Sequence, residues 1–290
     1  MPLTGTGHTV TAAVAARHGA AAFNIIQLEH TQAVIAGAEA ANAPVILQIS
    51  ENAVRYHGAL APLARAALSA SEAARVPVSV HLDHATGLPL VREAIALGLS
   101  SVMFDASTLG YNDNVKVTAE VVRLCHDSGV WVEAELGEVG GKDGVHAPGA
   151  RTDPAEAAAY VAATGVDALA VAVGTSHAML TRDAALDFGL IRTLRRGVPV
   201  PLVLHGSSGV SDAGLAEAVA HGMTKINIAT HLNSAFTAAV RDHLAAHPAT
   251  VDPRAYLGAG RAAVTAEVTR LLGILRPGHT PVTGTAGPSA

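Results

Sequence analysis

Apolar and polar positions along the chain repeat one pattern eight times: a short β-branched or small apolar run, then a longer stretch with helical spacing. The runs are AAFNIIQ (21–27), PVILQIS (44–50), VPVSVHLDH (76–84), SSVMFDAS (100–107), VWVEAELG (130–137), ALAVAVGTS (168–176), PLVLHGSS (201–208) and TKINIAT (224–230). Nearly continuous apolar runs of this length suit strands buried on both faces, as in a parallel sheet covered by its crossover helices. The intervening stretches carry their own boundaries. Gly98, Gly129, Gly165 and Gly222 each follow helical spacing, where a terminating glycine belongs. Ser211-Asp212 and Asp153-Pro154 stand as N-terminal caps before AGLAEAVAHG and AEAAAYVAATG.

Eight strands alternating with helices predict an α/β fold closed as a (β/α)8 TIM barrel, with a doubly wound open sheet as the rival. VTAAVAARHG predicts an extra N-terminal helix, and a C-terminal helical extension runs from about Thr230 to Leu272. The predicted organisation is a single barrel domain over 1–275. The Pro-, Gly- and Thr-rich stretch 276–290 reads as a mobile tail.

Composition acts mainly by exclusion. Half of the 290 residues are apolar, 15% are charged and the net charge is −5, with no basic stripe for nucleic acid or an acidic membrane surface. No uninterrupted apolar run approaches the length of a membrane span, and the N-terminus does not read as a signal peptide. A lone cysteine, Cys125, rules out an internal disulfide and sits in the amphipathic stretch VVRLCHDSG, where it reads as a buried structural thiol. A cytoplasmic enzyme is the expectation.

Chemistry in a barrel of this kind gathers where the strands end. Three of the 15 histidines close apolar runs: His84 in HLDH, His177 in VAVGTSH and His205 in LVLH. Three imidazoles with a fourth position open form a catalytic zinc arrangement. His18, His57, His126, His221, His243 and His247 fall in predicted helices or at their ends and read as surface or capping residues. Strict alternation would put His81 and Asp83 on one face of the third strand and His84 on the other. Asp83 and His84 therefore share a site only if regular strand geometry stops near Asp83; His81 is then a barrel-interior residue. Gly206-Ser207-Ser208-Gly209 follows the seventh strand, and Asn227-Ile228-Ala229-Thr230 ends the eighth, the usual place for a phosphate site made of backbone N–H groups.

In the order AFNI, PVILQIS, HLDH, SVMFDAS, VEAELGEVGG, GTSH, LHGSSG and KINIAT, the chain from about Ala22 to Leu272 resembles the class II, metal-dependent fructose-bisphosphate aldolases, close to the tagatose-bisphosphate branch. The resemblance implies reversible cleavage of a ketose 1,6-bisphosphate, fructose first and tagatose next, to dihydroxyacetone phosphate and glyceraldehyde 3-phosphate. It implies Zn2+ or another divalent metal on His84, His177 and His205, with Asp83 as the general acid/base at the C4 hydroxyl. Gly206, Ser207, Ser208, Asn227, Ile228, Ala229 and Thr230 form the implied phosphate region. Gly174 lines the same pocket or a Na+ or K+ site. Asp105 and Glu135 match positions of an alternative metal location. Ala178 stands where relatives usually carry glycine. The stretch KDGVHAPGARTDP after GEVGG is shorter than in many relatives and lacks the glutamate expected to shuttle the carbon-centre proton, leaving Asp143 or Glu138 as substitutes. A homodimer or homotetramer is the implied assembly.

Two other readings stand beside this one. A non-catalytic phosphosugar-binding subunit would keep the barrel, and an aldolase for a different acceptor aldehyde would keep the chemistry. A Schiff-base aldolase would need a lysine at the rim. Of Lys116, Lys142 and Lys225, the last is expected at the start of the eighth strand, away from the catalytic end.

Overall fold

The computed structural model describes residues 2–137, 151–175 and 181–276. Its strands are β1 (Ala20–Asn24), β2 (Val45–Ser50), β3 (Val78–Ala85), β4 (Ser101–Phe104), β5 (Trp131–Glu135), β6 (Ala168–Ala170), β7 (Leu202–Leu204) and β8 (Met223–Ile228). Each pairs in parallel with the next, and β8 pairs with β1, closing the predicted (β/α)8 barrel. The helices are α1 (Thr6–Ala16), α2 (Leu28–Ala40), α3 (Glu51–His57), α4 (Ala61–Glu72), α5 (Leu88–Leu97), α6 (Tyr111–His126), α7 (Pro154–Thr164), α8 (Phe188–Gly197), α9 (Asp212–His221), α10 (Thr230–Ala246) and α11 (Pro253–Leu275). Among the described residues, no helix is long and apolar enough to cross a membrane.

Both expected caps form. Ser211 accepts the Gly214 N–H at 3.1 Å, and Asp153 accepts those of Ala155 and Glu156 at 2.8 and 3.0 Å. The C-terminal extension is two helices rather than one, broken at 247–252 and restarted by the Asp252 cap with Pro253 behind it. Several strands are shorter than their apolar runs. In the sixth, Ala172 leaves the ladder to exchange hydrogen bonds with Thr152, its N–H reaching Thr152 Oγ1 at 2.8 Å. The apolar character continues because the chain beyond is still buried, Val171 and Val173 being fully covered.

Outward positions of the strands pack under the helices in one large cluster that includes Phe23, Leu47, Leu82, Val132, Leu204 and Ile226. α11 closes this layer against α2, burying Val264, Val268, Leu271, Leu272 and Leu275. Each such side chain contributes about 1.5–3 kcal/mol on burial. Gly37 lets the two helices approach, since a Cβ there would lie 2.7 Å from Val268 Cγ1.

The interior of the barrel is layered. At the bottom, Val10 and Ala13 of α1 plug the opening against Ala20, Ala22 and Ile46, with Trp131 alongside; Ala168, Ala170 and Val203 fill the other side. Above them the inward positions turn polar: Gln48, His81, Ser101, Glu133 and Lys225 are all fully buried. Cys125, on the buried face of α6, is covered as expected, and burial raises its thiol pKa to about 11.

Candidate active site

The polar layer rises to the C-terminal mouth. Asn24 ends β1, Asp83 and His84 lie near the end of β3, and Asp105 follows β4. Glu135 ends β5, His205 follows β7 and Asn227 is the penultimate residue of β8. They surround a cleft of about 160 Å3 lined by Asn24, Ser50, Asp83, His84, His205 and Asn227, among others.

Strand alternation fails where the site needs it to. His84 adopts φ 53°, a left-handed conformation that costs a non-glycine residue about 1–2 kcal/mol. The β3–β4 register shifts between Leu82 and Ala85. This kink turns His84 to the same side as Asp83. It is held from three directions: Asp105 Oδ2 lies 2.7 Å from His84 Nδ1, the Ala85 carbonyl accepts the Asp105 N–H at 2.8 Å, and Glu51 of α3 takes the Thr86 N–H at 2.7 Å. His81 stays in the regular strand, points inward and meets Ser101 Oγ at 2.7 Å. Burial and the neighbouring Lys225 charge lower it to about 3, so it is a neutral imidazole.

His205 is fully enclosed. Its Nε2 lies 3.0 Å from Glu133 Oε1 and its Nδ1 lies 3.2 Å from Glu135 Oε2. Burial works against its charged form, but the two carboxylates outweigh it and raise the imidazole to about 9. Its ring meets that of His84 edge to face, with centroids 4.8 Å apart. Asp83 completes the group: one ligand atom from each of Asp83, His84 and His205 lies within 4.8 Å of the others. Asp83 Oδ2 accepts the Asn24 amide at 2.8 Å, whereas its buried Oδ1 has no hydrogen-bond partner among the described residues. Burial pushes its carboxyl up, yet His84, His205 and Lys225 together hold it down to about 2.

The loops after β7 and β8 form the opposite wall. Gly206, Ser208, Asn227, Ala229 and Thr230 line the cleft. Ser207 and Ile228 do not: the Ser207 hydroxyl donates to the Asn227 carbonyl, and Ile228 packs in the outer core. Ser208 Oγ accepts the His231 N–H at 3.2 Å, which ties the glycine-rich turn to the first turn of α10. His177, Ala178, Asp143 and Glu138 lie outside the described residues. Gly174 is not among the cleft-lining residues; a different constraint acts there, because at φ 116° a Cβ would stand 2.3 Å from the Ala185 carbonyl oxygen. Gly174→Ala is expected to destabilise the fold by about 2–4 kcal/mol, from backbone strain plus overpacking. A melting curve beside the parent protein checks this.

Lys225 lies near the start of β8, as expected, and does not line the cleft. It enters β8 low, but its side chain runs up the barrel axis. Its Nζ donates to Gln48 Oε1 at 2.5 Å and Asn227 Oδ1 at 2.8 Å, and pairs with Glu133 Oε2 at 2.8 Å. It is therefore part of the site's floor. Asn24, Gln48 and Glu133 are further members that motif reading did not single out. Their signal was present: each is a polar residue at an inward position of an otherwise apolar strand.

The sequence profile of the family described as fructose-bisphosphate aldolase class-II matches residues 5–278. The chain belongs to this class II aldolase family. The YdjI aldolase from Escherichia coli K12 is 32% identical, with 94% of this chain and 97% of that one aligned at a TM-score of 0.84. A Coccidioides immitis protein provisionally assigned as a fructose-1,6-biphosphate aldolase is 28% identical over 92% of this chain and 96% of its own, at a TM-score of 0.80. Fructose-bisphosphate aldolase from Campylobacter jejuni, 22% identical over 94% and 95%, shares the fold at a TM-score of 0.80.

The donor set in this aldolase barrel fits a divalent cation. Four buried carboxylates, those of Asp83, Asp105, Glu133 and Glu135, gather around the two imidazoles. Among the described residues of this group, Lys225 and the His205 imidazole answer only part of that charge. Buried charge in such excess calls for a counter-ion. Asp105 behind His84 and Glu133 behind His205 are carboxylate–histidine pairs of the kind that orient metal-binding rings. Asp105 and Glu135, expected as an alternative metal position, face the ring nitrogens of these two histidines.

Proposed function

We propose that the chain is a Zn2+-dependent aldolase that reversibly cleaves a ketose 1,6-bisphosphate to dihydroxyacetone phosphate and glyceraldehyde 3-phosphate. Fructose 1,6-bisphosphate is the first candidate and tagatose 1,6-bisphosphate the second. The observation that carries this reading is the convergence of Asp83, His84 and His205 beside an anion-ready turn. His84, His205 and His177 are the proposed ligands. A bound divalent ion would supply Lewis acidity at the ketone oxygen, stabilising the charge that develops as the carbon–carbon bond breaks.

The protein's own groups do the rest. Asp83 is ionised, anchored through one oxygen and free at the other, so its Oδ1 is the acceptor for the C4 hydroxyl proton. In the reverse direction the same oxygen returns that proton. The phosphate of the dihydroxyacetone half lies against the Gly206–Ser208 turn and the start of α10. There the backbone N–H groups and helix dipole favour an anion; Ala229 has no side chain able to cap the helix, and Ser208 Oγ takes only the His231 N–H. Asn227, its Oδ1 held by Lys225, presents its amide N–H to the same half.

A coupled assay of triose phosphate release from each sugar bisphosphate, with added Zn2+ and after chelation, tests the reading. Cleavage that a chelator abolishes and Zn2+ restores supports it. Tight sugar phosphate binding without turnover would favour a non-catalytic subunit. Borohydride is expected to trap no imine, because Lys225 is fully buried, hydrogen-bonded to Gln48 and Asn227 and ion-paired with Glu133.

A further inference from the structure

Between the buried lysine and the proposed acid/base lies an unbroken series of hydrogen bonds. Lys225 Nζ donates to Gln48 Oε1 at 2.5 Å, Gln48 Nε2 donates to Asn24 Oδ1 at 3.1 Å, and Asn24 Nδ2 donates to Asp83 Oδ2 at 2.8 Å. The direction of every bond is fixed by its two ends. An ammonium only donates and an ionised carboxylate only accepts. Two amides in series between them can satisfy both ends in one orientation only, each with its oxygen toward Lys225 and its nitrogen toward Asp83. Gln48 is fully buried, Asn24 is partly so, and the two sit side by side in the β1–β2 register. A flipped amide would set two acceptors or two donors against each other away from water, a cost of about 1–3 kcal/mol.

We propose that Lys225 is a positioning residue that sets which oxygen of Asp83 is free for proton transfer, acting through the one-way amide series Gln48–Asn24. Asp83 Oδ2 is consumed at the end of the series, leaving Oδ1 without a hydrogen-bond partner among the described residues. The other two Lys225 contacts, a hydrogen bond and an ion pair, serve the same end. One turns the Asn227 amide, so that its oxygen faces inward and its nitrogen faces substrate. The other holds Glu133, whose second oxygen receives His205 Nε2. A single cation on the barrel axis thereby orients the acid/base residue, a substrate contact and a ligand imidazole. The inference rests on the aldolase reading for its catalytic consequence, but the hydrogen-bond polarity does not.

Gln48→Glu is the discriminating variant. Its carboxylate keeps an acceptor for Lys225 and the same shape, but offers no donor to Asn24, so the Asn24 amide reverses and withdraws its donor from Asp83. The expected result is a kcat lower by about 10- to 100-fold, the scale of a misoriented reacting group, with KM within about threefold and metal content per chain unchanged. Lys225→Met cuts the same series. In that background Gln48→Glu is expected to lower kcat by less than about twofold more, because the two act as a unit. Parent-like kcat in Gln48→Glu, or losses that multiply in the double variant, would overturn the proposal.

A readout independent of turnover comes from the metal-free protein. The Asn24 side-chain N–H is expected to exchange slowly with deuterated solvent in nitrogen-15 spectra, and at least about tenfold faster in Gln48→Glu. Equal exchange in the two proteins sinks the relay whatever the activity. Slow exchange in a parent protein that cleaves no sugar bisphosphate would instead sink the aldolase reading and leave the relay standing.

Discussion

Replacing Asp83 by asparagine is expected to lower kcat for sugar bisphosphate cleavage by about 10²- to 10⁴-fold, the usual contribution of a general acid/base, while metal content stays at the parent level. The side chain is nearly isosteric, and its oxygen can still accept the Asn24 N–H, so the surrounding packing has no reason to move. What is lost is the Oδ1 position, a buried acceptor without a partner among the described residues, replaced by an amide that cannot take a proton. The two candidate imidazoles keep their own anchors, Asp105 for His84 and the Glu133–Glu135 pair for His205. Steady-state cleavage together with elemental analysis of the purified variant separates the roles. Loss of turnover with metal retained is the signature of an acid/base residue. Parent-like turnover would remove Asp83 from that role, and loss of the metal would make it a ligand.

The fold could be read from the chain because the eight strands are buried on both faces, so hydrophobicity alone marks them. The same property hid their C-terminal ends. Val171 and Val173 remain buried beyond β6, and nothing in their side chains reports that the ladder has stopped. The site histidines and Asp83 were legible because ionisable residues at strand ends contradict the apolar pattern. Asn24, Gln48 and Glu133 contradict it as well, but Asn24 is a neutral amide, and Gln48 and Glu133 lie two residues below the ends of their strands, where a buried polar residue can be taken for ordinary packing. Period-two alternation within each strand puts Asn24 on the inward face with Ala22, Gln48 with Ile46, and Glu133 with Glu135. Lys225 enters β8 near its start, as the sequence implies, and joins the site through its side chain alone. Its backbone lies two residues below Asn227, at about 3.3 Å per residue, and its long side chain climbs that distance to reach Asn227 Oδ1. The left-handed backbone of His84 has no sequence signature beyond the need to bring Asp83 and His84 into one site.

Removal of the His205 ring should have two separable effects. His205→Ala is expected to purify with far less bound divalent metal than the parent and to cleave no sugar bisphosphate at a measurable rate. It is also expected to lose about 3–5 kcal/mol of stability, as breaking a buried charged pair does, a drop of about 6–20 °C in melting temperature at this size. The second effect arises because His205 is fully enclosed between two carboxylates. Glu133 keeps Lys225 when the ring goes, whereas Glu135 loses its contact with His205 Nδ1. His205→Gln tells the effects apart. Its amide fills most of the volume and can donate to Glu133, so the melting temperature should recover by more than half, while metal content should stay low because an amide is a poor replacement for imidazole. Recovery of stability without metal locates His205 in the ligand set. One equivalent of metal per chain in His205→Ala would place the cation elsewhere, and the two carboxylates around this histidine would then serve only to balance a buried charge.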